Sequence, residues 1–375
     1  MSERFQIHYE ITVGEQDSIE SALETICLEQ TVEMPPDAIS DEIRENIAGK
    51  VISVAETSQK NCYEAVIDFP VANAGGEVTM LLNILFGNIS LMPGYKIIDA
   101  ELEKLPFLPG PAFGIDGVRK KTGIYDRALS CTAMKPLGFS AKEFGKITYE
   151  FALGGLDIIK DDHGLTNQHY APFEDRLNAC VTAVKRAADK TGRRSYYYPN
   201  ITSAPEETLR RYDMACKAGA DGVLFMPHLT GLEILARLAS QKGPIPLMIH
   251  PAFSGSQTIH DDQGFSPSFL YGRLWRSLGA DFAIYPNARG RFSYTEDECI
   301  AINQAARATG SRFRRVFPTP GGGINRPTIP KWLSLYGQDT VFLIGGSLYE
   351  HPGGIQEAAR EFRQQLASQP EETDL

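Results

Sequence analysis

The chain has 375 residues, 42% of them hydrophobic and 22% charged, enough apolar material for one large core and a smaller second domain. Its formal net charge of −10 argues against nucleic acid as the main partner, because neutralising phosphates needs clustered Lys and Arg. An anionic ligand must therefore be held by local donors and not by the overall field.

Taken in chain order, Phe5–Val13 alternates as a strand does, and Ile19–Leu28 has helical spacing with Ser18 placed to cap it. Lys50–Thr57 and Cys62–Phe69 read as paired strands joined by the polar SQKN, and Gly76–Phe86 as a helix. The stretch 104–124, KLPFLPGPAFGIDGVRKKTGI, is rich in Pro and Gly. These features predict an α+β domain of ferredoxin-like type over 1–105, a linker over 106–125 and a second domain over 126–375.

In that second domain short apolar runs alternate with longer amphipathic stretches. The runs are Ala128–Ala133, Leu156–Lys160, Ser195–Pro199, Gly222–Pro227, Ile245–His250, Asp281–Pro286, Arg314–Thr319 and Thr340–Gly346. Helical patterns between them include Ala141–Leu153, Phe173–Thr191, Pro205–Ala218, Gly231–Gln241, Pro267–Leu278, Thr295–Thr309 and Thr328–Tyr336. Strand–helix alternation over roughly 250 residues predicts an α/β fold, a (β/α)8 TIM barrel. An open doubly wound sheet is the alternative, but its GxGxxG signature is absent, so no nucleotide cofactor is expected.

Cys27, Cys62, Cys131, Cys180, Cys216 and Cys299 are scattered, with no CxxC pair and no zinc-like spacing. Reduced thiols and a cytoplasmic location are expected. The opening MSERFQIHYEITVG holds no apolar core of signal-peptide length, and no run approaches the ~20 residues that span a bilayer.

A barrel of this kind carries its site at the C-terminal ends of its strands. The first strand ends in CTAMKPLG, with Met134 and Lys135, and the second in KDDH, Lys160 to His163. Asn200 and Thr202 follow the third, His228 the fourth, and His250 ends the fifth. Asn287, Arg289 and Arg291 follow the sixth. Gly321, Gly322 and Gly323 follow the seventh, and Gly345 and Gly346 the eighth. Two glycine runs at the last two strand ends leave backbone N–H groups bare to converge on an anion, which predicts phosphate binding. Alternation puts Lys160 and Asp162 on one face, where carboxylate and imidazole beside a lysine can hold a hard cation or tune the lysine as a base. His163 reads as a ligand or a base, and His250 as a proton-transfer or phosphate-contact residue. Trp275 and Trp332 read as packing residues.

At these positions the sequence resembles the RubisCO superfamily. The resemblance rests on GGLDIIKDDHGLTNQHYAPFEDR (154–176), CTAMKPLGFSAKEFGK (131–146), GPAFGIDGVR (110–119), PGGGI and IGGSLYEHPGG, and covers almost the whole chain. It implies that Lys160 is a carbamylated lysine, with Asp162 and His163 as further ligands of Mg2+, and that His250 is the active-site histidine of the fifth strand. It implies a homodimer in which Glu29 and Asn88 reach the partner's site. The family's first-strand lysine falls at or next to Met134, with Lys135 offset by one, so Lys135 is the candidate base. Pro251 stands where an Arg is usual, and YPNARGRFSYTE lacks the lysine of the loop after the sixth strand. The resemblance is therefore to the RubisCO-like branch, without carbon dioxide fixation. It implies enolisation and 1,3-proton transfer on a phosphorylated keto-sugar, as in the isomerases of 5-methylthioribulose 1-phosphate in sulfur salvage. Decarboxylation of a phosphorylated keto-sugar acid such as 3-oxo-isoapionate 4-phosphate is the alternative, and a non-catalytic phosphosugar-binding protein a second.

Overall fold

The structure is a computed structural model and describes residues 3–367. Four N-terminal strands, β1 (Arg4–Thr12), β2 (Lys50–Glu56), β3 (Cys62–Pro70) and β4 (Tyr95–Ala100), pair antiparallel in the order β4-β1-β3-β2. Alternation along β1 buries Phe5, Ile7, Tyr9 and Ile11, which join one core with Leu23 and Ile26 of helix Ile19–Glu29 and with Leu81 and Leu85 of helix Val78–Phe86. Ser18 caps the first of these helices by accepting the Ser21 N–H.

The barrel strands are β5 (Leu129–Ala133), β6 (Ile158–Lys160), β7 (Tyr196–Tyr198), β8 (Val223–Phe225) and β9 (Leu247–Ile249). After a short β10 (Gly264–Phe265) come β11 (Phe282–Pro286), β12 (Phe317–Gly321) and β13 (Val341–Ile344). They run parallel in the order β7-β6-β5-β13-β12-β11-β9-β8, and a parallel bridge from Asn200 to Leu224 closes the ring. Both faces of each strand are covered, which is why the sequence shows continuous apolar runs there and not alternation. Cys131, Ile158, Tyr198, Met248, Phe282 and Phe317 fill the interior.

Three local features differ from the sequence reading. The 106–125 segment holds a helix, Gly114–Thr122, whose Ile115 and Val118 plug the bottom of the barrel. Buried Asp281 fixes its start by accepting the Phe113 and Gly114 N–H groups, each at 2.8 Å. The seventh strand begins at Phe317 and not at Arg314, because Arg314 reaches back to the Ala112 carbonyl at 2.6 Å and Arg315 to Asp339 at 3.0 Å. The loop after β9 contributes β10, which adds parallel to β4, so a segment of the barrel domain forms the edge strand of the N-terminal sheet.

Among the described residues no helix is long and apolar enough to cross a membrane. A cavity of about 180 Å3, lined by Lys185, Arg194 and Asp221 among others, lies beside the residues that enter β7 and β8, at the barrel end opposite the strand C-termini.

Candidate active site

β6 delivers the KDDH segment with its side chains on alternate faces. Asp161 turns away from the barrel axis and is spent on structure. It accepts the Tyr197 hydroxyl at 2.8 Å, the Asn200 N–H at 2.9 Å and the Arg176 guanidinium at 3.2 Å, all buried. Lys160 and Asp162 share the other face. Lys160 is 1% exposed, and its Nζ donates to the Asp161 carbonyl at 3.1 Å. Burial lowers its pKa, and Lys135 adds to that against the opposing pull of Cys131 and Asp162. The amine therefore reaches its free-base form more readily than a surface lysine does.

Asp162 is the hub. Its Oδ2 lies 2.5 Å from Lys135 Nζ, and its Oδ1 accepts the Gly164 N–H at 3.1 Å. Burial raises its pKa, but the Lys135 bond, the Lys160 charge and the Gly164 N–H together outweigh that and hold it below the usual carboxylate range.

The one-residue offset at the end of the first strand is resolved here. Met134 is fully buried, its Sδ 2.9 Å from the Thr148 hydroxyl, while Lys135 crosses to Asp162. Tyr349, which the sequence reading passed over, pins this strand end. It accepts the Lys135 N–H at 2.8 Å and donates to the Ala133 carbonyl at 3.1 Å. Its place directly after the second glycine run was the available signal.

His163 and His250 stack at 4.6 Å between centroids and 14° between planes. His163 Nδ1 lies 3.4 Å from Asp162 Oδ1, and the Asn200 amide holds the His163 carbonyl at 3.0 Å. Burial lowers the His163 pKa; Asp162 opposes this, and Lys160, Lys135 and Arg291 reinforce it. His250 is pushed well below the usual histidine range by burial, then by Lys160, His163 and Lys135. Its Nδ1 accepts the Ala252 N–H at 3.1 Å, so the neutral ring carries its proton on Nε2 and is a donor. His228 is engaged elsewhere. It accepts the Trp275 indole N–H at 3.2 Å, and burial lowers its pKa to about 4. Trp275 and Trp332 are fully buried packing residues.

The glycine loops lie at the same barrel end. Gly322 and Gly323 have φ of +83° and +70°, a conformation that side chains rarely adopt. A side chain on Gly323 would also meet the Gly290 nitrogen at 2.6 Å, so the loop after β11 rests directly on this turn. Gly345 lies beside Lys135, whose Cε is 3.8 Å from where a Cβ would stand, and Gly346 follows it into a short helical turn. Gly321 pairs with Leu343, which holds the two loops side by side.

Glu29 and Asn88 meet each other but not this centre. Asn88 donates to Glu33 at 3.0 Å and to Glu29 at 3.4 Å, and among the described residues neither Glu29 nor Asn88 bonds to a strand-end group. Glu33 is a member of the cluster that the sequence reading did not include.

For a divalent cation, no three His, Cys, Asp or Glu side chains converge among the described residues. Asp162 and His163 do converge beside Lys160, and a free-base amine is the form that reacts with carbon dioxide. Carbamylated Lys160 would complete the donor set, so the residues fit a carbamate-held cation.

The catalytic domain of the ribulose bisphosphate carboxylase large chain matches residues 114–375. The 5-methylthioribulose-1-phosphate isomerase of Rhodospirillum rubrum is 33% identical over 366 residues, covering 96% of this chain and 96% of that one. The 2,3-diketo-5-methylthiopentyl-1-phosphate enolase of Bacillus pumilus is 33% identical over 368 residues, covering 95% and 90%. The solved structure of a Rubisco-like protein from Rhodopseudomonas palustris superposes with a TM-score of 0.88 at 34% identity, covering 98% of each chain. With a matching family model, a matching fold and no lysine in the loop after β11, the chain belongs to the ribulose bisphosphate carboxylase large-chain family, in its RubisCO-like branch.

Proposed function

We propose that this protein is an isomerase that moves a proton along a phosphorylated keto-sugar through an enediolate, with 5-methylthioribulose 1-phosphate as the substrate type. One observation carries the reading: a buried lysine with a lowered pKa, Lys160, sits with an ion-paired Asp162–Lys135 couple and a neutral, Nε2-protonated His250 at the barrel end that bears two bare glycine loops. The relatives named above act on phosphates of the same carbon skeleton, which supports the substrate type.

In this reading the N–H groups of Gly321 to Gly323 and of Gly345 and Gly346 hold the phosphate and so fix the sugar chain against the strand ends. Lys160, as free amine, takes the proton next to the carbonyl. The Lys135 ammonium and the His250 Nε2–H donate to the developing oxyanion. His163, half-buried and stacked on His250, takes the abstracted proton from Lys160 and returns it at the neighbouring carbon. If Lys160 is carbamylated instead of acting as the amine base, it would hold a divalent cation together with Asp162 and His163, and that cation would polarise the carbonyl.

The test is incubation with 5-methylthioribulose 1-phosphate in deuterium oxide, followed by NMR. Isomerised product, with solvent deuterium at the exchanged carbon wherever the abstracted proton equilibrates with water, is the expected result. Absence of both exchange and product sinks the isomerase reading. Carbon dioxide release from 3-oxo-isoapionate 4-phosphate would replace it with decarboxylation. Ribulose 1,5-bisphosphate should incorporate no labelled carbon dioxide, because the loop after β11 has no lysine to hold a carboxylated intermediate.

We also propose a homodimer with shared sites. Glu29, Glu33 and Asn88 form a polar cluster with no bond to a strand-end group among the described residues, and in the same domain Met34, Ile43, Ile47, Ile52 and Val54 are exposed. Mixing a Lys160→Ala subunit with a Glu29→Ala subunit, each inactive alone, should restore part of the activity through one intact composite site. Verified heterodimers with no recovery would exclude shared sites.

A further inference from the structure

Around the glycine turn after β12 most cations are already committed. Arg289 and Lys331 both pair with Glu296, the latter at 2.6 Å, and Arg326 pairs with Glu361. Arg291 differs: among the described residues it makes no hydrogen bond and no ion pair, and its guanidinium lies over the Phe292 ring, 5.1 Å from the centroid. Both of its chain neighbours touch the turn. The Gly290 nitrogen is 2.6 Å from where a Gly323 Cβ would stand, and the Phe292 ring is 3.4 Å from the same point on Gly322. Arg291 thus sits between two residues that touch the turn, exposed, with no acid paired to it among the described residues. A guanidinium left unpaired on a ring that itself packs on the glycine turn has a chemical use when the missing partner is an anion from solution, because its fork of N–H donors matches a phosphate's oxygens.

We propose that Arg291 is the phosphate clamp of this site: a cation on the loop after β11 that closes over the phosphate monoester seated on Gly321 to Gly323. This rests on reading those glycines as the phosphate cradle. It assigns the loop a binding task, distinct from carboxylate handling by a lysine. It also explains why Gly290 and Gly323 both lack side chains, since the two backbones must touch for the guanidinium to reach the turn. Arg289, two residues earlier, does not share the role, since its guanidinium is turned to Glu296.

The test is calorimetric titration of the full chain with inorganic phosphate, which needs no knowledge of the substrate. Arg291→Gln should weaken phosphate binding by roughly 10- to 100-fold, the scale of a lost charged hydrogen bond. Arg291→Lys, which keeps the charge but loses the fork, should fall between Gln and wild type. Arg289→Gln should stay within about twofold of wild type if a committed cation adds little to binding. Both positions are exposed, and circular dichroism checks that each variant folds. Equal affinity in wild type and Arg291→Gln overturns the clamp while leaving the glycine cradle standing. No phosphate binding by wild type overturns the cradle itself, and the clamp with it.

Discussion

Lys160→Ala should lower turnover on the true substrate by roughly 10²-fold or more, the scale of a lost acid–base group, and should leave the fold intact. The lysine stands at a strand end, and its only side-chain hydrogen bond among the described residues is to the neighbouring Asp161 carbonyl. Its folded-state pKa lies below the ordinary lysine value, so the unfolded chain binds its proton more tightly. Stability owed to this group therefore rises as pH climbs toward the ordinary lysine range and is an opposing contribution at neutral pH. Removing it relieves that opposition. The two chemical forms of Lys160 also part company in solution. A carbamate makes wild-type activity depend jointly on bicarbonate and a divalent metal, whereas a free amine needs neither for its own ionisation. Normal folding with near-full turnover in Lys160→Ala would show that the centre is misplaced and that KDDH is a structural segment.

Asp157→Ala should destabilise the protein by about 3–5 kcal/mol, because it strands a buried guanidinium. Asp157 lies one residue before β6. It takes Arg127 in two bonds of 2.6 and 2.7 Å and the Ser130 N–H and hydroxyl at 2.8 Å each, with both charged side chains almost wholly buried. The group ties the base of β5 to the base of β6, and those strands carry Lys135 and Lys160 at their other ends. Urea unfolding should show the loss. Replacing Arg127 and Asp157 together with apolar residues of similar size should recover most of it, since a buried pair is weak net stabilisation but a costly thing to break. Equal stability in Asp157→Ala and wild type would mean that Arg127 finds water or another acceptor.

Much of the barrel was legible because its code is local. Parallel strands covered on both faces need continuous apolar runs, and the helices between them need amphipathic spacing; both are written within a dozen residues. The glycine turn after β12 was legible for a similar reason, since the positive φ of Gly322 and Gly323 leaves a residue signature. Polar strand ends followed from the architecture once eight units had been counted, and the family resemblance came from the same segments.

What lies between segments was not legible. Nothing in CTAMKPLG says whether Met134 or Lys135 faces the axis. That was decided by Thr148 and the core behind β5 taking the thioether, and by Asp162 drawing the ammonium across. The two aspartates of KDDH look alike in sequence, yet Tyr197, Asn200 and Arg176, brought from other elements, turn Asp161 into a buttress and leave Asp162 for the site. The neutral state of His250 and its Nε2 proton depend on burial and on the Ala252 N–H. The sequence by itself determined which residue types stand at the strand ends, because periodicity and backbone conformation are local physics. Only the tertiary structure decided which of them are free to act, because charge state and hydrogen-bond partnership depend on atoms distant in the chain.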